Sequence, residues 1–226
     1  MQGERAIVVI GGGPLSRLAI DRAIGADESQ SFVIAADSGL DHAVAAGILP
    51  DVLVGDLDSI SAAGRMWAYE HAAEIEEHPP DKDASDTELA IARALRVPNL
   101  RRLCVLGGSE AAGELRLDHL LSTILALGHP TLAALTSVCA VLGHNELRIL
   151  HPGRKVTLDL HAGQTFSLLA LHGSCAGICV QGARWPLHDA TLTATETRGL
   201  SNQASPTAHD QVEVSVGSGV LTVVIP

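Results

Sequence analysis

Aromatic side chains are nearly missing from this chain: two Phe, two Trp and one Tyr among 226 residues. Its length allows one or two domains with a real core, which must then be built from Ala, Val, Leu and Ile. Each aromatic accordingly stands out as a residue with its own purpose. Lysine occurs only at Lys82 and Lys155, and 15 Lys and Arg face 26 Asp and Glu, for a net charge of −11. A protein that grips a phosphate backbone needs a basic face, so generic nucleic-acid binding is disfavoured. The four cysteines (Cys104, Cys139, Cys175 and Cys179) lie in apolar segments without zinc-ligand spacing. Long hydrophobic runs are also missing. The stretch from Leu120 to Gly143 carries no formal charge, but Gly128, His129 and Pro130 cut it into pieces too short to span a bilayer. The apolar run at the N-terminus is too short for a signal peptide. These absences lead to the expectation of a protein in a reducing cytoplasm.

What is present falls into two halves with different periods. Up to about residue 150, short apolar runs (Ala6–Ile10, Phe32–Ala36, Val52–Val54, Leu103–Leu106, Leu132–Val141) alternate with helix-like stretches near Leu15–Ile24, Leu40–Ala46 and Leu117–Leu127. Ser85 and Glu88 have the spacing of a capping box that opens another helix, running through Leu95. This alternation predicts an α/β N-terminal domain, residues 1–150, with a mostly parallel Rossmann-like sheet. After His151 the apolar runs become short and evenly spaced, and Val212, Val214 and Val216 alternate before a Gly-Ser-Gly turn. Residues 151–226 therefore read as a C-terminal all-β sandwich domain.

The acidic residues are unevenly distributed. Between Asp37 and Glu88 there are thirteen acids against two bases, Arg65 and Lys82. Glu70, Glu74, Glu76 and Glu77 read as a solvated helix face. The aspartates differ, because ligands of open α/β sheets bind beyond the carboxyl ends of the strands. Asp37 follows the strand FVIAA, Asp56 and Asp58 follow VLVG, and Asp118 opens the helix beyond LCVL. In extended chain, Asp56 and Asp58 would point to the same side and repel unless a cation lay between them. A hard divalent ion such as Mg²⁺ suits such oxygen ligands together with substrate phosphates. The competing reading makes Asp-Leu-Asp a turn in which Asp58 caps the following helix. Lys82, between Asp81 and Asp83, is either a partner for phosphate oxygens or one half of a surface ion pair. Gly11–Gly13 fits neither the dinucleotide fingerprint nor the P-loop and reads as a tight turn.

In order along the chain, ADSGLDHAVAAGILPDVLVGDLDSI, PPDKDASDTELAI, RLDHLLSTI, GARWPLHDATL and RGLSNQ together resemble the thiamine pyrophosphokinase family. The resemblance covers nearly everything from Ile34 to Ile225. It implies transfer of the terminal pyrophosphoryl group of ATP, the co-substrate, to the hydroxyl of thiamine, giving thiamine diphosphate and AMP. By matching position, Asp56, Asp58 and Asp86 would hold Mg²⁺ on the triphosphate. Asp37, Lys82, Asp83 and Arg116 would line the substrate side, with Asp118 or a metal-bound carboxylate taking the alcohol proton. Trp185 would stack on the thiamine ring, with Ser201 and Asn202 near its polar edge. The family also implies a homodimer in which the β domain of one copy completes the site of the other. Three departures bear on substrate choice: Ser38 in ADSG, the long loop Ser109–Leu115, and Thr123 in place of the usual Asn. Two alternatives stay open on the residues alone: a pyrophosphokinase for another hydroxymethyl heterocycle, such as a pterin, or a thiamine or nucleotide binder without turnover.

Overall fold

The computed structural model describes residues 4–24, 31–71, 74–107, 116–206 and 211–226. The loop Ser109–Leu115 lies outside the described residues. The chain divides into two compact units, Met1–Thr123 with Ala140–His144, and Ile124–Cys139 with Asn145–Pro226. Among the described residues, no helix is long and apolar enough to cross a membrane.

In the first unit, β1 (Arg5–Val9), α1 (Arg17–Ile24), β2 (Ser31–Ala36), α2 (Gly39–Ala45), β3 (Val52–Gly55), α3 (Ala62–Glu70), β4 (Glu74–Glu77), α4 (Asp86–Ala94), β5 (Arg102–Gly107) and α5 (Leu117–Ala126) follow one another. The strands lie in the order β5-β1-β2-β3-β4, and every pair in that run is parallel. Parallel strands are covered on both faces, which is why their sequences are continuous apolar runs. Ala6, Ile7, Val8 and Val9 of β1 are all fully buried. The chain runs outward from β1 to β4, then returns to place β5 on the other side of β1. Such a reversal is the place where open α/β sheets bind ligands.

The capping box on α4 forms as expected. Ser85 Oγ accepts from the Glu88 N–H at 3.2 Å, and the Glu88 carboxylate accepts from the Ser85 N–H at 3.0 Å. Two expectations need correction. The glutamates taken as a helix face are divided: Glu70 ends α3, while Glu74, Glu76 and Glu77 form the outermost strand, β4. Helical periodicity misled because β4 is four residues long and mostly acidic. It is held by ion pairs from α4 and just beyond it, Arg93 to Glu74 at 2.8 Å and Arg96 to Glu76. The Arg96 hydrogen bond, outweighing burial, holds the Glu76 carboxyl below the usual range. The run Leu132–Val141 is not one strand either. Pro130–Ala134 forms a 3-10 turn, for which proline's fixed φ is preorganised, and the strand starts at Ser137.

In the second unit, β6 (Ser137–Leu142, whose last three residues group with the first unit) precedes β7 (Asn145–Leu150), β8 (Lys155–Asp159), β9 (Thr165–Leu169), β10 (Cys175–Gln181), β11 (Leu187–Leu192), β12 (Asn202–Gln203), β13 (Gln211–Ser215) and β14 (Leu221–Ile225). Strands β12, β9, β14 and β7 pair side by side in that order, and β11-β10-β13-β8 make a separate four-stranded sheet, all with antiparallel pairing. The alternation read in the sequence supplies the shared core. Phe166 and Leu168 of β9 join one apolar cluster with Ile178, Val180, Val212 and Val214 of the four-stranded sheet. This is the expected antiparallel sandwich.

Candidate active site

Three carboxylates converge beyond the carboxyl ends of β2 and β3. One oxygen each from Asp37, Asp56 and Asp58 lies within 4.8 Å of the other two. Asp37 continues the ladder past β2, its N–H donating to Val54 O at 2.9 Å, and then turns at φ 47°. Asp56 and Asp58 do not sit on extended chain. Leu57 between them has φ 64°, and Asp56 Oδ1 accepts the Asp58 N–H at 3.3 Å, as in a turn closed by an aspartate side chain. Two left-handed non-glycine residues flanking one cluster mark backbone held against its own preference.

The loop keeps that shape because its apolar residues are anchored. Leu57 and Ile60 sink into a cluster with Ala35, Leu40, Leu53 and Ala68, and burying such a side chain contributes roughly 1.5–3 kcal/mol. Asp41 of α2 accepts from the Ser61 N–H at 2.8 Å and from Ser61 Oγ at 2.6 Å. Ser61, not Asp58, caps α3, its Oγ accepting from the Gly64 N–H at 2.9 Å. Arg65 donates to Leu57 O at 2.5 Å. Gly55 makes room beneath: a Cβ there would lie 3.1 Å from both Asp37 Cβ and Asp86 Oδ1. Gly39 is required as well, since its Cβ would come within 2.2 Å of Val9 O.

Like charges this close must be offset. Lys82 Nζ donates to Asp56 Oδ2 at 2.8 Å, and it lies 3.0 Å from Asp86 Oδ1 in an ion pair off the hydrogen-bonding line. The lysine side chain is only 13% exposed and bridges sequence positions 26 apart, so it is no surface ion pair. Burial pulls its pKa down, but the hydrogen bond to Asp56 and the ion pair with Asp86 outweigh this and hold it above the usual lysine value. The Lys82 hydrogen bond likewise holds Asp56 below the usual carboxylate range. Asp37 goes the other way. Burial raises its pKa, the Ser59 hydroxyl bond opposes, and the charges of Asp86, Asp56 and Asp58 add to the rise. Its Oδ2 accepts from Ser59 Oγ, while the buried Oδ1 has no hydrogen-bond partner among the described residues.

These observations fit a hard divalent cation: three carboxylates in ligand range and a buried carboxylate oxygen with nothing to bind it. The grouping is not the one expected at every position. Asp37, expected beside the nucleotide, stands with Asp56 and Asp58, whereas Asp86 stands on Lys82. Asp83 is exposed in the loop that carries Lys82. Arg116 and Asp118 pair with each other at the start of α5, through bonds of 3.1 and 2.8 Å, and Arg116 also reaches His119. The Arg116 bond lowers the exposed Asp118 carboxyl to about 2. Ser38 lies against the glycine turn, where a Cβ on Gly11 would come within 2.5 Å of its Oγ, and Thr123 is buried. Sequence reasoning missed the roles of Asp41 and Ser59, whose only signal was their place inside the quoted family strings, and of Arg65, which stood out only as one of two bases in the acidic window.

In the second unit, Trp185 is 52% exposed although it is one of five aromatics. Arg184 covers one face of its ring, 4.7 Å from the centroid. Asn202 is buried and fixes the Trp185 backbone from both sides, accepting its N–H at 3.2 Å and donating to its carbonyl at 2.8 Å. Ser201 is exposed at φ 58°, its N–H donating to Ser167 Oγ at 3.0 Å. Asn202 thus positions the indole rather than presenting a free polar edge.

A family model described as "Thiamin pyrophosphokinase, catalytic domain" matches residues 26–139, and one described as "Thiamin pyrophosphokinase, vitamin B1 binding domain" matches residues 154–221. Thiamine pyrophosphokinase of Bacillus subtilis (strain 168) is 23% identical over 221 residues, covering 97% of this chain and 98% of that protein. The crystal structure of thiamine pyrophosphokinase from Bacillus subtilis has the same fold, with TM-score 0.76 at 20% identity over 98% of both chains. Thiamin pyrophosphokinase from Candida albicans is similar with TM-score 0.74 at 13% identity, over 98% of this chain and 89% of that one. With both domain models matched in order, the chain belongs to the thiamin pyrophosphokinase family.

Proposed function

We propose that this protein is a cytoplasmic thiamine pyrophosphokinase, which transfers the terminal pyrophosphoryl group of ATP to the hydroxyl of thiamine, with Mg²⁺, and acts as a homodimer. The observation that carries this reading is the convergence of Asp37, Asp56 and Asp58 at the strand ends of a chain from this family. These carboxylates would hold the Mg²⁺, which when bound offsets the charge of the triphosphate. Thiamine's hydroxyl attacks the β phosphorus, and AMP leaves.

The chain's own groups do the rest. Lys82, released from Asp56 or Asp86 as the triphosphate arrives, places a compact ammonium on its oxygens. Such transfers need positioning and charge stabilisation more than covalent work. Asp118, held near 2 by Arg116, is a weak base. A carboxylate of the Asp37, Asp56 and Asp58 group is the other candidate to take the alcohol proton. The face of Trp185 that Arg184 leaves open suits an aromatic cation such as thiamine, a contact worth roughly 0.5–2 kcal/mol. Leu117, Leu121 and Leu125 recur every four residues along α5 and are each about half exposed. An apolar stripe of that kind is covered when two copies meet, the β unit of each completing the other's site.

The decisive assay supplies thiamine, ATP and Mg²⁺ and separates AMP from ADP. AMP should form only with all three present, and Asp56→Asn should lower its rate at least ~100-fold by removing a charge-stabilising ligand. ADP as product, or equal turnover with a hydroxymethyl pterin, would contradict the assignment. Trp185→Ala should raise the KM for thiamine up to about tenfold through loss of the cation–π contact, leaving the KM for ATP unchanged; equal losses for both would remove the stacking role.

Asp37 also makes a stability prediction. A carboxyl whose pKa is raised on folding favours the fold at low pH, and that advantage disappears as pH rises through its folded value. Ionised Asp37 therefore weakens the fold at neutral pH. Asp37→Asn should raise the melting temperature in EDTA at pH 7 by about 2–4 °C, roughly 1 kcal/mol, while pyrophosphoryl transfer falls. A lower melting temperature would show that the carboxylate is net stabilising. For assembly, sedimentation velocity should find dimers at micromolar concentration, and Leu121→Asp should yield inactive monomers. A fully active monomer would exclude a shared site.

A further inference from the structure

Arg65 is a cation among acids that pairs with none of them. It is one of two bases between Asp37 and Glu88, and the other, Lys82, is bound to carboxylates. Among the described residues Arg65 has no ion pair, and its guanidinium donates instead to a backbone carbonyl, that of Leu57, at 2.5 Å. Burial, Ser59 and the other aspartates act on the Asp37 carboxyl, and Lys82, burial and Asp58 act on that of Asp56; Arg65 figures in neither. The residue is exposed and borders an open cavity of about 480 Å³ with Ile60, Ala62, Met66 and Tyr69. An arginine kept only for its charge would extend its head into water there. This one folds back onto the loop.

The bond falls on the peptide where it has most effect. Leu57 separates the two aspartates of the turn and holds φ 64°, a conformation that leucine seldom adopts. Rotating the peptide that follows it would let Asp58 swing away from Asp56 and relieve their repulsion. Burial fixes the Leu57 side chain, and Arg65 fixes its carbonyl. The base from which Arg65 reaches is firm. Ser61 caps α3 and is tied to Asp41, while Trp67 and Ala68 pack α3 against the cluster that holds Leu57. A planar guanidinium on a carbonyl is also a more directional hold than an ammonium would be.

Rigid spacing of carboxylates discriminates between ions. Mg²⁺ demands near-ideal octahedral oxygens at about 2.0–2.1 Å, whereas Ca²⁺ accepts flexible arrangements at about 2.3–2.6 Å. Given the reading of Asp37, Asp56 and Asp58 as the Mg²⁺ site, on which this rests, we infer that Arg65 is a positioning residue that sets the ion preference of the enzyme. By holding the Leu57 carbonyl it fixes Asp58 against Asp56, and the fixed spacing favours the smaller Mg²⁺ over Ca²⁺.

The test uses the full chain without nucleotide. Mn²⁺ is the probe, followed through the EPR signal of the free ion, and Mg²⁺ and Ca²⁺ are titrated against it. Arg65→Ala should weaken Mg²⁺ about tenfold, as expected for loss of a charge-assisted hydrogen bond, and Ca²⁺ by no more than about twofold, because a looser loop still suits it. The melting temperature of this variant in EDTA should stay within about 3 °C of the unsubstituted protein. Unchanged Mg²⁺ affinity or equal losses for both ions would overturn the inference, and a larger fall in melting temperature would make Arg65 a stability residue instead. Mn²⁺ left unbound by the unsubstituted chain, or held equally well by Asp56→Asn, would remove the carboxylates as an ion site and the inference with them.

Discussion

Mutual repulsion among carboxylates is the constraint around which the first unit is arranged. Asp37, Asp56 and Asp58 crowd within ligand distance of one another, with Asp86 close by. Carboxylates left free to move would separate. They stay because the backbone between them is pinned by apolar burial at Leu57 and Ile60 and by the Asp41–Ser61 and Arg65–Leu57 bonds. Lys82 removes part of the repulsion, and Asp37 bears what is left. Binding sites preorganised for an external charge are expected to cost the fold something in this way.

The parallel sheet makes that concentration of charge possible. Adjacent strands β2 and β3 end side by side, so the residues just beyond them are neighbours without any further design. The second unit solves a different problem with the opposite topology. Antiparallel strands with alternating inward residues give it a core, and the exposed turns between them carry Trp185 and Ser201. Each unit thus carries its candidate functional side chains on loops and its core along its strands.

Much of this was legible in the residues. Continuous apolar runs marked the parallel strands, Ser85 and Glu88 marked the α4 terminus, and the Val212–Val216 alternation marked the sandwich. Acid clusters after strands pointed to the site before any family resemblance was invoked. Three features were not legible, for physical reasons. A four-residue strand of mostly glutamates has no apolar period, so β4 was hidden. The turn at Leu57 is fixed by tertiary packing of its side chain, against the local preference of leucine for extended or helical backbone. The pairing of Lys82 with Asp56 spans 26 positions, which spacing along the chain does not encode, whereas its pairing with Asp86 is a local one, four positions apart.

Strand β4 has one further consequence. It is the outer border of the first unit's parallel strands, and its Glu74 and Glu76 are engaged by arginines that overhang it from the neighbouring helical segment. An incoming strand would have to displace both guanidiniums and face a row of acids. Growth of the sheet by edge-to-edge addition is thereby blocked at this border, and encounters between copies are diverted toward helical and loop surfaces.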